Sequence, residues 1–323
     1  MMMTVVRLGY VAMSVHVPHC SPSQTMTVAQ FRVLRDREAA IRKLERIARS
    51  NINNCLRLLK HNKAHEIRFF RLSSRLIPLA NHPELENWDY LAPIREALQT
   101  IALFLQEYPM RLDFHPEHFV VLNSPDPDVF RASLNTLKLH AELLSGMGID
   151  LEHRCVLHIG GGYGDKEKAL EQLIHNWAYV PVWGQRMIMF ENDDTVFTLR
   201  DALYACEKLS VPLVFDLHHH LANHDEEDWR PDWERIVATW HHSPLPMKMH
   251  ISSPKSDRQF RAHHDFVDAE MFIRFLREVK GTVKQLDCMI EAKQKDEALF
   301  QLVRDLKHYN DLEWIDGASF FIK

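Results

Sequence analysis

Cysteine is scarce in this 323-residue chain: Cys20, Cys55, Cys155, Cys206 and Cys288 are scattered, and no two are spaced C-x-x-C. That excludes a zinc ribbon, a dithiol redox motif and a secreted disulfide framework, and it points to a reducing compartment. Long apolar runs are missing too. No window approaches 18 consecutive apolar residues, and the opening "MMMTVVRLGY" has no sustained hydrophobic stretch, so neither a membrane span nor a signal peptide is expected. A cytosolic protein is the expectation. Excess positive charge is also absent: 39 Lys and Arg against 44 Asp and Glu give a net charge of −5. This rules out the global basic field of a non-specific nucleic-acid binder while leaving room for a local basic rim. A carboxylate-rich metal centre would itself bias the sum downward, because the formal count omits bound cations. Finally, there is no Pro/Gly/Ser-rich linker, low-complexity tract or long repeat. One domain is expected over 1–323, with a core at about 4–308 and a tail at 309–323 that packs against it.

What is present is a regular alternation. Short β-type runs occur at 5–10, 66–72, 110–115, 155–159, 187–191, 212–217, 247–252 and 286–292, with helical stretches between them. The clearest helical stretches are "EAAIRKLERIARSNINNCLRLLKH", "VFRASLNTLKLHAELLSGMG" with its terminating Gly148, and "KEKALEQLIHNWAYV". Eight such units predict an α/β fold, a (β/α)₈ TIM barrel, with the active site at the C-terminal ends of the strands.

The strand ends are polar: Tyr10, Arg71, His115, His158, Glu191, Asp216, the pair Lys248 and His250, and Glu291. A single histidine there would be ordinary packing or solvation. Three carboxylates and three histidines at one end of successive strands are what a barrel-mouth metal centre requires. Imidazole and carboxylate without thiolate suit Zn, Mn, Fe or Co. Glu191, central in strand order, is the natural bridge between two ions, and ions about 3.5–4 Å apart serve in-line displacement at phosphorus. Phosphodiester hydrolysis fits this set. Lys248 shares a strand face with His250. Beside divalent ions it should be neutral or carboxylated on Nζ, or else serve as a cation for a substrate phosphate.

Several stretches carry a resemblance: "RLGY" at 7–10, "RLSSRLIPLANHP" at 71–83, "FHPEHF" at 114–119, "LHIGGGYGDK" at 157–166, "ENDD" at 191–194, "FDLHHH" at 215–220, "KMHISSP" at 248–254 and "IEAK" at 290–293. With these in order, the chain resembles the ultraviolet damage endonuclease family, related in architecture to endonuclease IV. The resemblance implies a repair enzyme that cuts UV-damaged double-stranded DNA immediately 5′ of a lesion, leaving a 3′-hydroxyl and a 5′-phosphate. Substrates would be cyclobutane pyrimidine dimers and 6-4 photoproducts, with abasic sites in some members. It also implies two or three divalent ions, Mn²⁺ first, with Zn²⁺, Co²⁺ or Mg²⁺ as alternatives. An ion-bound hydroxide would attack phosphorus. A monomer with no membrane association and no obligate protein partner is expected.

Carried over by motif, the metal positions would be His115, His158, Glu191, Asp216, His219, His250, His263 and Glu291. Lys248 would stand at the family's modified lysine, and Glu191, Lys248 and Glu291 would carry catalysis. His263 is preferred over its neighbour His264. Within "FDLHHHLANHDEEDW" the Asp-x-x-His spacing selects Asp216 and His219, leaving His218 and His220 as supporting or surface residues and "HDEEDW" as a solvated acidic loop. An enzyme acting 5′ of a lesion buried in a duplex must bend the DNA or extrude the damaged nucleotides, and an apolar or aromatic wedge is needed to hold the gap. The family's polar-aromatic probe, usually Gln-Tyr, falls on His118 and Phe119, and Tyr10 matches a second aromatic probe. "GGGYGDK" either brings Lys166 and backbone N–H groups to a helix N-terminus suited to phosphate or is simply a tight turn. Arg71, Ser73, Ser74, Arg75, Lys255, Arg258 and Arg261 are candidates for a phosphate-positioning rim.

Two other functions share parts of this pattern. A metal-dependent sugar isomerase would use similar ligands on the same barrel, but not a lesion wedge or His219 and His263. A non-catalytic damage-binding protein or metal sensor would not need a complete hydrolytic centre.

Overall fold

The computed structural model describes residues 3–323. Eight parallel strands follow one another with helix in every gap: β1 (Thr4–Val11), β2 (Phe69–Arg71), β3 (Arg111–Asp113), β4 (Cys155–His158), β5 (Ile188–Glu191), β6 (Leu213–Asp216), β7 (Met247–Ile251) and β8 (Gln285–Ile290). Their spatial order is β3-β2-β1-β8-β7-β6-β5-β4. A single parallel bridge between Phe114 and Cys155 then brings β4 back to the end of β3. The result is the α/β TIM barrel that the alternation predicts. Among the described residues, no helix is long and apolar enough to cross a membrane.

Local chemistry sets where the elements begin and end. Asp36 caps the helix Arg37–Ala64 by accepting from the backbone N–H groups of Glu38 and Ala39. At its other end Glu66 turns into the left-handed region, φ 58°, and Ile67 N–H donates back to the Asn62 carbonyl at 2.9 Å. Residues 65–67 are thus consumed in ending the helix, which is why β2 starts at Phe69 and not at the predicted 66. Gly148, at φ 71°, ends the helix Pro127–Gly146, with Ile149 N–H returning to the Leu144 carbonyl.

Alternation along the strands sends one set of side chains to the helices and the other into the barrel. Leu8, Tyr10, Phe70, Leu112, Phe190, Phe215, Cys288 and Ile290 join the large core under the helices. Val11, Phe69 and Met289 form a separate cluster inside the barrel. Gly9 makes room for that cluster, since a Cβ there would stand 2.7 Å from the Phe69 ring. Ion pairs between strands that are not neighbours, Lys248 on Asp113 and Arg111 on Asp287, cross the barrel interior at lower levels.

The segment 309–323, expected only to pack on the barrel, instead adds a hairpin to the sheet. Its strands are β9 (Leu312–Trp314) and β10 (Ser319–Ile322), and β10 pairs antiparallel with Thr4–Arg7 of β1. Because β2 has three residues and meets β1 only from Gly9 onward, it leaves the lower edge of β1 open, and β10 covers that edge.

Candidate metal centre

Glu191, the last residue of β5, is fully buried at the centre of the barrel mouth, and both of its carboxylate oxygens face imidazole rings. Oε2 lies 2.9 Å from His115 Nε2 and 3.4 Å from His158 Nε2. Oε1 lies 2.7 Å from His250 Nδ1 and 3.3 Å from His219 Nδ1. Two sets of donor atoms result, each close enough to share an ion: His115, Glu191, His250 and Glu291, and His158, Glu191 and His219. Glu191 alone belongs to both. Glu291, just past β8, reaches His250 Nδ1 at 3.1 Å and takes an ion pair from Arg71.

The electrostatics show an arrangement short of positive charge. Burial alone would raise the Glu191 carboxyl, yet His250, His115, His158 and His219 together hold it well below the usual range. Glu291 is likewise held well below it against burial, by Arg71, His250 and His263. Asp216 shows the deficit: burial, with Glu191 and Glu291 adding to it, pushes its carboxyl up to about 6 despite His219. Its Oδ1 accepts from His219 N–H at 2.7 Å, while its Oδ2 is buried without a hydrogen-bond partner, 3.8 Å from His219 Nδ1. An orphaned buried carboxylate oxygen beside two carboxylates and a ring of imidazoles fits a cation. The imidazoles divide: burial pushes His250 down to about 4 and lowers His115. Against burial, Glu191 raises His158, and Asp216 with Glu191 holds His219 well above the usual range.

Local structure explains how these groups are held. Asp216 ends β6 and caps the short helix Leu217–Ala222, which places His219 one turn on, facing the mouth. Asn192 fastens the ends of β5 and β6 together. Its amide donates to the Asp216 carbonyl and its oxygen accepts from Asp216 N–H, both at 2.9 Å, while its own carbonyl lies 3.0 Å from His219 Nδ1. Ser74 Oγ donates to the His115 carbonyl at 2.7 Å. His263 stands with Nδ1 4.0 Å from Glu291 Oε2, outside both donor sets, whereas His264 is exposed.

Lys248 lies one level below the mouth. Its Nζ is fully buried, 2.9 Å from Asp113 Oδ2 and 5.6 Å from the centre of the Phe69 ring. Burial pushes its amine down to about 8, with Arg71 and Arg111 adding to the effect and Asp113 opposing it. Asp113 was the residue to find in the sequence: it shares a strand face with His115, two positions on.

Several expected DNA contacts are engaged elsewhere. Tyr10 is fully buried on the helix side of β1, donating its hydroxyl to Asn62 Oδ1 at 2.7 Å and packing on Phe70, so it cannot touch DNA. Strand parity decided this, since Tyr10 alternates with the inward-facing Gly9 and Val11. Ser73 is buried with its Oγ 2.6 Å from Ser23 Oγ, and Ser74 serves His115. Lys166 Nζ pairs with Asp201 at 2.7 Å, and Asp165 already caps the helix N-terminus meant for phosphate, accepting from Lys168 N–H. Arg71 belongs to the centre itself, its guanidinium 3.0 Å from His250 Nε2. Arg75 pairs with Glu117. Lys255, Arg258 and Arg261 are exposed. His118 and Phe119 project from the loop after β3, Phe119 with 63% of its surface exposed. Beside them a recess of about 290 Å³ opens between His115, Pro116, Val120, His158, Gly161 and Tyr163.

Comparison with known proteins agrees with this geometry. Residues 6–320 match the family described as UV-endonuclease UvdE. The chain is 53% identical over 315 residues to a UV DNA damage endonuclease of Halalkalibacterium halodurans, covering 97% of this chain and 98% of that one. It superposes on the crystal structure of SacUVDE with a TM-score of 0.80 at 31% identity, covering 94% and 98% of the two chains. Endonuclease IV from Thermus thermophilus shares the fold at a TM-score of 0.51 and 13% identity, covering 94% of this chain and 100% of that one.

Proposed function

The chain belongs to the UV-endonuclease UvdE family, and from that premise we propose that it hydrolyses the phosphodiester bond immediately 5′ of ultraviolet photolesions in double-stranded DNA. Its substrates are cyclobutane pyrimidine dimers and 6-4 photoproducts, with abasic sites as a further class. One observation carries the hydrolytic half of this reading: Glu191 is buried with its two oxygens divided between two histidine groups.

The residues present fit two or three divalent ions, Mn²⁺ first, with Zn²⁺, Co²⁺ or Mg²⁺ as alternatives. His115, Glu191, His250 and Glu291 would hold one, and His158, Glu191, His219 and the free Asp216 oxygen a second, with His263 available above Glu291 for a third. When bound, such ions supply a nucleophile at neutral pH and charge stabilisation for in-line displacement at phosphorus. Arg71, charged beside Glu291, orients that carboxylate and offers its remaining donors to a phosphate oxygen. Phe119, the exposed ring at the rim, is placed to fill the gap left by an extruded lesion, with His118 beside it as a hydrogen-bonding partner. The recess next to His115 and His158 is open to receive the extruded nucleotides, and exposed Lys255, Arg258 and Arg261 meet the backbone without reading bases.

N6-carboxylation of Lys248 is part of this reading. With the amine at about 8, roughly a tenth is free base at pH 7 and able to add carbon dioxide with release of a proton. The modification would break the Lys248–Asp113 ion pair, and Arg71 and Arg111 would then have to offset both the carbamate and Asp113. Carbon-13 NMR of protein equilibrated with labelled bicarbonate should show one carbamate resonance that Lys248→Met removes; its absence from the wild-type protein would delete the modification.

The test of the reaction is a duplex oligonucleotide carrying one cyclobutane dimer, incubated with the protein and Mn²⁺. We expect a single cut directly 5′ of the dimer whose 3′ end a polymerase extends. A cut elsewhere, or an end that cannot be extended, would overturn the assignment.

A further inference from the structure

His218 stands in the middle of the "HHH" run and has no place in either donor set, yet it is fully buried and both of its ring nitrogens are engaged. Nε2 lies 2.6 Å from the Phe260 carbonyl, which can only accept, so Nε2 carries the ring proton. Nδ1, 2.6 Å from Ser252 Oγ, then accepts the serine hydroxyl proton. The two partners lie on different pieces of chain. Ser252 follows β7 directly, two residues after His250, while Phe260 sits at the far end of the loop that follows.

That loop is a small hairpin. Pro254 and His263 form an antiparallel bridge, Lys255 N–H donates to the Ala262 carbonyl at 2.7 Å, and Ser256 caps the turn at Asp257–Gln259. Its base is fixed, since His264 N–H donates to the Ser253 carbonyl and Lys293 N–H to the His264 carbonyl. Its tip reaches the body of the barrel through His218: the Phe260 ring packs on it at 5.8 Å and the His263 ring meets it edge-on at 5.4 Å. Exposed Lys255, Arg258 and Arg261 all ride on this hairpin.

We propose that His218 is a positioning residue, whose doubly bonded ring holds the 254–263 hairpin against the mouth of the barrel so that His263 stands over Glu291. It deepens the proposed function, resting on His263 as a donor to a divalent ion. Partners behind metal ligands commonly set affinity by about 10- to 100-fold, because they fix the orientation of the ligand itself.

Asparagine places its amide near the position of Nδ1, and glutamine near that of Nε2. His218→Gln therefore keeps a donor for the Phe260 carbonyl, whereas His218→Asn keeps only the Ser252 side. Two measurements separate them: amide hydrogen exchange across 254–263 in protein free of metal and DNA, and calorimetric titration with Mn²⁺. For His218→Asn we expect faster exchange confined to the hairpin and a roughly 10- to 100-fold loss of Mn²⁺ affinity at one site, with His218→Gln, which gives up only the Ser252 contact, shifted in the same direction but severalfold less in both. Ser252→Ala, which frees the same side of the ring as His218→Gln, should match that variant in exchange and in Mn²⁺ affinity, and it serves where His218→Asn does not fold. Equal behaviour of the Asn and Gln variants, or unchanged Mn²⁺ affinity in His218→Asn or Ser252→Ala, would overturn the proposal. A protein that shows the Asn/Gln split and binds Mn²⁺ but does not cut irradiated DNA would refute the proposed function and leave the positioning role standing.

Discussion

Replacing Glu191 with glutamine tests whether one carboxylate serves two ions. In the metal-free protein the change removes a buried negative charge but also weakens charge-assisted contacts to His250 at 2.7 Å and His115 at 2.9 Å. Those contacts are worth about 1.5–3 kcal/mol each, and the relieved burial of charge offsets them, so every variant is compared with its own metal-free state. Binding then adds stability by mass action. An ion at about 100 times its Kd contributes about 2.7 kcal/mol, so two independent ions contribute about 5.4 kcal/mol. At roughly 2 °C per kcal/mol for a chain of this size, wild-type protein should melt about 10 °C higher with Mn²⁺ than without. Because Glu191 belongs to both donor sets, Glu191→Gln should lose nearly the whole increment. Glu291→Gln and His158→Ala, which touch one set each, should lose about half. Calorimetric melts with and without Mn²⁺, paired with metal stoichiometry after gel filtration, give the comparison. Cleavage by Glu191→Gln should vanish while binding to damaged DNA partly survives. A Glu191→Gln protein that keeps half of the increment and one tightly held ion would refute the shared carboxylate.

Three further outcomes follow from the same geometry. Phe119→Ala should leave stability within about 0.5 kcal/mol, since the ring is mostly exposed, yet lower kcat/KM on dimer-containing duplex by about 10- to 100-fold, the value of one lost aromatic stack. In protein kept free of carbon dioxide, where Lys248 is the ammonium paired with Asp113, Lys248→Met should cost about 3–5 kcal/mol in urea unfolding by stranding Asp113 in the barrel interior, and Lys248→Met combined with Asp113→Leu should recover part of the loss. Mn²⁺ affinity should fall as pH drops from about 7 to about 5.5, by roughly tenfold per unit for each proton displaced. Asp216 at about 6 and His219 above the usual imidazole range bind protons there that the ion must expel, and a pH-independent titration would contradict this assignment.

The fold was legible because short β-type runs alternate eight times with stretches of helical period, and the local rules of capping do not depend on distant contacts. The residues gathered at the barrel mouth were legible because strand ends in a parallel barrel converge, so His115, Glu191 and Glu291 could be brought together although they lie far apart in the chain. What could not be read was which neighbour a polar side chain would find. Ser73, Ser74 and Lys166 looked free to meet phosphate, and their partners Ser23, the His115 carbonyl and Asp201 lie at unpredictable positions in the chain. Tyr10 was open to correction from sequence, because the parity that places Lys248 and His250 inside the barrel places Tyr10 outside it. His218 was hidden by its company. A run of three histidines suggests a cluster, whereas helical geometry sends His218, His219 and His220 in three directions, toward the 254–263 hairpin, the mouth and the acidic loop at Glu227. The tail was unreadable as a strand because its role depends on the short β2.

The most direct test is nicking of supercoiled plasmid, irradiated or not, with Mn²⁺ or with a chelator. We expect relaxation of the irradiated plasmid alone, in the presence of Mn²⁺ alone. Equal nicking of both plasmids, nicking that survives the chelator, or no nicking at all would contradict a metal-dependent endonuclease directed at ultraviolet damage.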